Sequence, residues 1–277
     1  MTQLASTATK TESDNPILRF VRSHPLTSFV TLAYAFSWAL LPVLGDPLGS
    51  GPFFAALVVL SITKGRPGIK ALFRQMTKWR VDWKWYAAAI GFPAGAAVIA
   101  AIATVWLGAP RPTGAQIALW TEVPITFLLV LLIPMFGPWE EPGLRGFALS
   151  KLMNRRSPLV AGLAVGAIHI GWHTPLFFTG DIPMADVVFI IAASIVFAWM
   201  IVGTRGSVLL AMIMHATSNA VSGEYISPMF SGADGELLGW IRAGIWVLIA
   251  AVVVIASGKT LRPAPPVHTP AQPAVAR

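Results

Sequence analysis

Long apolar runs, each separated from the next by a short stretch of Gly, Pro or charged residues, make up most of this chain. About eight of them approach the roughly 20 residues that a helix needs to cross a bilayer. They lie near 25–45, 48–64, 85–107, 118–138, 158–178, 184–203, 207–223 and 239–257. Two of these, 48–64 and 207–223, are short or broken. The runs are continuous, without the two-residue alternation that a membrane barrel needs, so helices remain as the spanning element. The pattern predicts an all-α polytopic membrane protein of about eight transmembrane helices. A transmembrane domain over 16–258 is expected, between a polar N-terminal stretch, 1–15, and a Pro- and Ala-rich tail, 259–277, both read as disordered and cytoplasmic. No signal peptide is expected ahead of the first span, and no internal repeat is evident.

Composition agrees with this pattern. Of 277 residues, 55% are hydrophobic and 12% charged, about half the charge of a soluble domain. Cysteine is absent, which excludes disulfides, thiolate metal sites and a cysteine nucleophile. Charge also gives an orientation. With the N-terminus in the cytoplasm, inside segments hold 18 of the 20 Lys and Arg, leaving Arg111 and Arg242 outside. Acids such as Asp46, Asp181, Asp186 and Glu236 fall on the outer side. This asymmetry predicts two cytoplasmic termini and an integral protein of a cytoplasmic membrane. The net charge of +8 is then a topology signal rather than a nucleic-acid signal. The basic loop 64–84, with Trp79, Trp83 and Trp85, reads as a surface touching the lipid bilayer.

Against that apolar background, a few polar residues stand out. Pro134-Met-Phe-Gly-Pro-Trp-Glu-Glu-Pro-Gly-Leu-Arg holds Glu140, Glu141 and Arg145. The plain structural reading is a helix start opened by Pro142, with Glu141 paired to Arg145 four residues on. His169 and His173 are four apart, and so are His215 and Asn219, so each pair shares a helix face. A lone His in a helical core usually only packs, but ionisable groups within membrane spans mark sites by default. Carboxylate, imidazole and amide together suit hydrolysis of a carbonyl compound: a Glu and a His draw a proton from water, and a His and an Asn donate to an oxyanion. One Glu with two His, here Glu140, His173 and His215, is also the minimum ligand set for a catalytic zinc.

The motif Glu-Glu-Pro-Gly-Leu-Arg, the segment Trp172-His173-Thr-Pro-Leu-Phe and the run from Ser207 through His215 to Asn219 resemble, in order and spacing, the three motifs of the CAAX protease and bacteriocin-processing family. The resemblance covers about residues 134–222. It implies an eight-helix intramembrane glutamic endopeptidase acting on a protein or peptide substrate reached from the membrane or the cytoplasmic side. Glu140, assisted by His173, would activate water, and His215 and Asn219 would bind the oxyanion. Glu141 and Arg145 would orient the site. No cofactor is expected on this reading. His169 stands where the family usually has an aromatic, and a packing or supporting part is expected for it. Leu144 replaces the common aromatic before Arg145. The resemblance also suggests a bacterial cell. Two other readings stand beside the peptidase: a non-catalytic membrane binding or bacteriocin-immunity protein of the same fold, and a small-solute or proton transporter.

One expectation concerns depth. Glu140 falls near the cytoplasmic end of its predicted span, whereas His173 lies fifteen residues into its own, some ~20 Å deep. The two meet only if the fourth helix continues past Glu140 inside the protein, or the fifth begins in the cytosol. Pro134, Pro138 and Pro142 allow a broken helix, and a water-filled cavity open to the cytoplasm is expected.

Overall fold

A computed structural model describes residues 15–262, and within them all regular elements are helical. The disorder expected for 1–14 and 263–277 lies outside the described residues. The longer helices are α1 (Pro16–Ser23), α2 (Pro25–Trp38), α3 (Gly51–Met76), α4 (Trp83–Trp106), α5 (Val123–Leu132), α6 (Pro142–Leu149), α7 (Pro158–Trp172), α8 (Ala185–Gly203), α9 (Val208–Thr217) and α10 (Gly232–Ser257).

Among the described residues, five stretches are long and apolar enough to cross a membrane: Pro25–Leu44, Trp83–Trp106, Gly114–Met153, Ala185–Gly203 and Gly232–Thr260. The protein is therefore a polytopic all-α membrane protein. Three of the expected eight spans take another form. The run 48–64 becomes the first half of α3, whose second half is basic; the two are joined at Gly65, with φ 60, a conformation that glycine reaches without a Cβ clash. The run 158–178 stops as a helix at Trp172, with His173 as its C-cap, and resumes in the short Thr174–Thr179 helix. The run 207–223 is α9 followed by a π-wound stretch, Ser218–Ile226. The fourth run, expected to end at 138, instead extends to Met153.

α8 packs along both α7 and α10, and α2 along α3. Lipid tails are as apolar as the core, so helices associate by close packing rather than by escape from water. Small residues permit that approach: a Cβ on Gly166 would lie 3.2 Å from the Ser194 Cβ on α8.

The two ends of the bundle differ in charge. At one end Lys78 Nζ donates to the Arg205 carbonyl at 2.9 Å, and Ser207 Oγ to the Lys78 carbonyl at 2.7 Å. That end also carries an inner cavity of about 510 Å³, bounded by Arg22, Lys64, Lys151, Gly146 and Phe147. At the other end a cavity of about 740 Å³ includes Asp181, Asp186 and Glu236. There Arg242 is paired with Asp186 and donates to Ser222 at 2.8 Å.

Candidate active site

A proline-bearing 3₁₀ turn and a π-wound helix build the first part of the site. The chain runs from α5 through a 3₁₀ turn, Gly137–Glu140, into α6, which is π-wound and buried along its whole length. Pro138 and Pro142 have no N–H to give, so an ordinary α ladder cannot run through them. Wide π turns of this kind recur where side chains must be re-aimed. Here they turn Glu140 and Glu141 inward, with 2% and 0% of their surfaces exposed. Arg145 is 1% exposed. It was counted with a cytoplasmic loop from sequence, but it belongs to the interior because the helix continues past 138.

Each buried charge has partners, as a low-dielectric interior requires. Arg145 Nη1 donates to Glu141 Oε1 at 3.3 Å, and its Nε lies 3.1 Å from Oε2. Its Nη2 donates to Ser194 Oγ at 3.2 Å, and its guanidinium sits 4.4 Å from the centre of the Phe197 ring. The same Glu141 Oε1 is 2.7 Å from His215 Nδ1. Glu141 thus joins α6 to α9 through one carboxylate.

α7 brings the other two imidazoles. Ser157 caps its start, and α2 fixes its far end: Tyr34 Oη donates to the Ile168 carbonyl at 2.6 Å, Trp38 Nε1 to the Trp172 carbonyl at 3.0 Å, and Trp172 Nε1 to Ser37 Oγ at 2.7 Å. Sequence reasoning missed these three anchors, although Tyr34, Ser37 and Trp38 lie at helical spacing on one span. His169 Nε2 lies 2.6 Å from Glu140 Oε2. The sequence reading paired Glu140 with His173 and gave His169 a packing or supporting part; the hydrogen bond to Glu140 comes from His169. His173 Nδ1 lies 3.0 Å from the His169 carbonyl. A carbonyl only accepts, so Nδ1 carries the hydrogen and the neutral ring keeps its lone pair on Nε2.

Glu140, His169 and His173 each offer a ligand atom, all within 4.8 Å of one another. The sequence names no expected metal and, for the case that one is held, Glu140, His173 and His215; in the structure His215 Nδ1 is engaged by Glu141. At 2.6 Å the Glu140–His169 contact is already a complete hydrogen bond. A metal between them, at about 2.0–2.1 Å from each donor, would have to push the two apart.

Glu140, His173, His215 and Asn219 line a cavity of about 370 Å³. Gly137 forms its wall against the last two: a Cβ there would lie 2.6 Å from His215 Nε2 and 2.9 Å from Asn219 Nδ2. The rim is formed by Leu44 and Asp46 from the loop after α2 and by Met135 and Phe136, all exposed. This loop is tied down by Leu48 N to the Ser37 carbonyl and Gly49 N to the Met135 carbonyl, each 3.1 Å. A second space of about 50 Å³ lies behind, between Arg145, His169, His215 and Asn219, large enough for an ordered water. The rim stands at the end of the bundle away from Lys78 and Arg205.

Comparison with known proteins finds one family. Residues 119–221 match the family model described as Type II CAAX prenyl endopeptidase Rce1-like. The CAAX prenyl protease 2 of Methanococcus maripaludis is 28% identical over 145 residues, or 48% of this chain and 49% of that protein. The chain spans about half the length of the curated relative it matches. The stretch matched by the family model holds both glutamates, Arg145, the three site histidines and Asn219, and through it the chain is similar to the CAAX protease family.

Proposed function

We propose that the protein is an intramembrane endopeptidase that hydrolyses a peptide bond with water activated by Glu140. The observation that carries this reading is a carboxylate at the floor of a cavity, buried to 2%, facing imidazoles from two separate helices. A water between Glu140 and His173 Nε2 meets two proton acceptors. As it attacks the carbonyl carbon, its proton passes to this pair and then to the leaving amine. Glu140 is kept in place by His169. On the other side of the cavity His215 Nε2 and Asn219 Nδ2 flank Gly137 and donate to the developing oxyanion. Donation from Nε2 requires the doubly protonated ring, because Nδ1 already faces Glu141. The Glu141 carboxylate is the counter-ion, and Arg145 holds it in turn. The charge asymmetry supports an orientation with the basic end and both termini in the cytoplasm; a bacterial membrane rests on the family resemblance alone.

The test is peptide cleavage by purified protein in detergent, with Glu140→Gln beside the wild type. The isosteric change should reduce turnover by roughly 10²–10⁴ and leave the melting temperature within a few degrees. Prolonged chelation should leave the wild type active. Cleavage by Glu140→Gln at the wild-type rate, or activity that returns only with added zinc, would overturn the assignment.

A further inference from the structure

We propose that the basic cavity behind α6 binds the phosphate headgroup of an anionic phospholipid. Such binding requires no catalysis, so it stands or falls apart from the peptidase reading.

The cavity holds about 510 Å³ and draws a cation from each of three elements. Arg22 comes from the end of α1, Lys64 from α3 just before the Gly65 kink, and Lys151 from the short Ser150–Met153 helix that continues α6. No acid is among the lining residues, and among the described residues none of the three cations is in an ion pair. Like charges around one space repel one another unless an anion sits between them. Gln75, Ser150 and Asn154 add uncharged hydrogen-bond donors to the same wall.

Basic residues at a membrane surface often do no more than mark topology. Arg66, Lys70 and Arg74 are of that kind: all are exposed on the second half of α3, and none lines the cavity. Lys64 differs because its stem is laid against its own helix, where a Cβ on Gly68 would lie 2.6 Å from Lys64 Cβ. α6 closes on the same wall at Gly146, where a Cβ would lie 2.6 Å from Leu72 Cδ1 and 3.4 Å from Gln75 Oε1.

The cations are exposed at the mouth, whereas Leu60, Leu72 and Phe147 on the wall are buried. A free anion would neutralise the mouth and leave that apolar wall against water. A phospholipid also brings glycerol and acyl carbons to cover it. The cavity stands at headgroup depth as well. α1 turns Ile17 and Phe20 outward, 69% and 50% exposed, and carries Arg19 and Arg22 on the same short helix, the pattern of a helix lying in the interface. Trp79 and Trp83, also exposed, are the aromatic residues expected at that level. Basic pockets between helices at this depth bind anionic headgroups.

The test titrates the purified, delipidated protein with phosphatidylglycerol, phosphatidylcholine or inorganic phosphate, and reads retention by native mass spectrometry and thermal unfolding. Phosphatidylglycerol should be retained and raise the melting temperature; the other two should do neither. Arg22→Gln, Lys64→Gln and Lys151→Gln combined should weaken retention of phosphatidylglycerol roughly tenfold or more. Arg66→Gln, Lys70→Gln and Arg74→Gln combined, which remove the same charge from outside the cavity, should leave it at the wild-type level. Equal losses in the two variants would reduce the effect to general surface charge and overturn the site. Equal retention of phosphatidylcholine overturns the anion, and equal stabilisation by inorganic phosphate overturns the lipid. If the first combined variant does not fold, Lys151→Gln alone, at an exposed position, should still weaken retention severalfold, and unchanged retention overturns the site.

Discussion

His169 separates two ways of reading this chain. By resemblance it is a departure from an aromatic position, and His169→Phe would be mild. By geometry it holds Glu140 at 2.6 Å, with both side chains buried. Removing one partner of a buried hydrogen bond costs about 1–3 kcal/mol. His169→Phe should therefore lower kcat by roughly 5- to 150-fold with KM little changed, measured by steady-state cleavage. Asn219→Ala should lower it by roughly 10²–10³ through loss of an oxyanion donor. A His169→Phe enzyme as fast as wild type would return the residue to packing. The sequence could be read this far because spacing alone fixes which residues share a helix face: His169 with His173, His215 with Asn219, Glu141 with Arg145. It could not say which imidazole meets Glu140, because that depends on how α7 is rotated, and Tyr34, Ser37 and Trp38 set that rotation from a helix more than 120 residues earlier.

The element that decides the site's depth is the broken helix from α5 to α6. Apolar content correctly marks a span near 118–138, but it ends that span too soon. The residues that follow are polar because they form a site, not because they leave the membrane. Pro138, Pro142 and the π winding of α6 replace the straight helix that a hydropathy window assumes. For the same reason α7 and α9 end as ordinary helices at, or just beyond, the histidines they carry. Within this element Gly137 is the glycine pressed against the site. A methyl group there would lie 2.6 Å from His215 Nε2 and 2.9 Å from Asn219 Nδ2, below normal contact. Gly137→Ala should displace both donors and cut turnover by at least tenfold, while thermal unfolding of the detergent-solubilised protein shifts only slightly. A large loss of folded protein instead would show that the glycine serves the turn rather than the site.

On the scale of the whole molecule, two cavities enter the bundle from opposite ends and stop on either side of α6. One ends at Glu140, and the other is walled by Gly146 and Phe147. Six residues of helix amount to about 9 Å, against the roughly 30 Å of hydrocarbon that insulates a cell elsewhere. The electrical insulation of the membrane at this point therefore depends on a thin protein septum. Arg145 stands inside it as a fixed positive charge, and a fixed positive charge in a narrow path repels protons and metal cations. Arg145→Gln in sealed proteoliposomes should accordingly collapse an imposed pH gradient faster than the wild type, and an unchanged decay would locate the seal elsewhere. A membrane protein that admits water to a buried carboxylate must also keep its bilayer impermeable to ions, and here the ion pair that steadies His215 serves both ends.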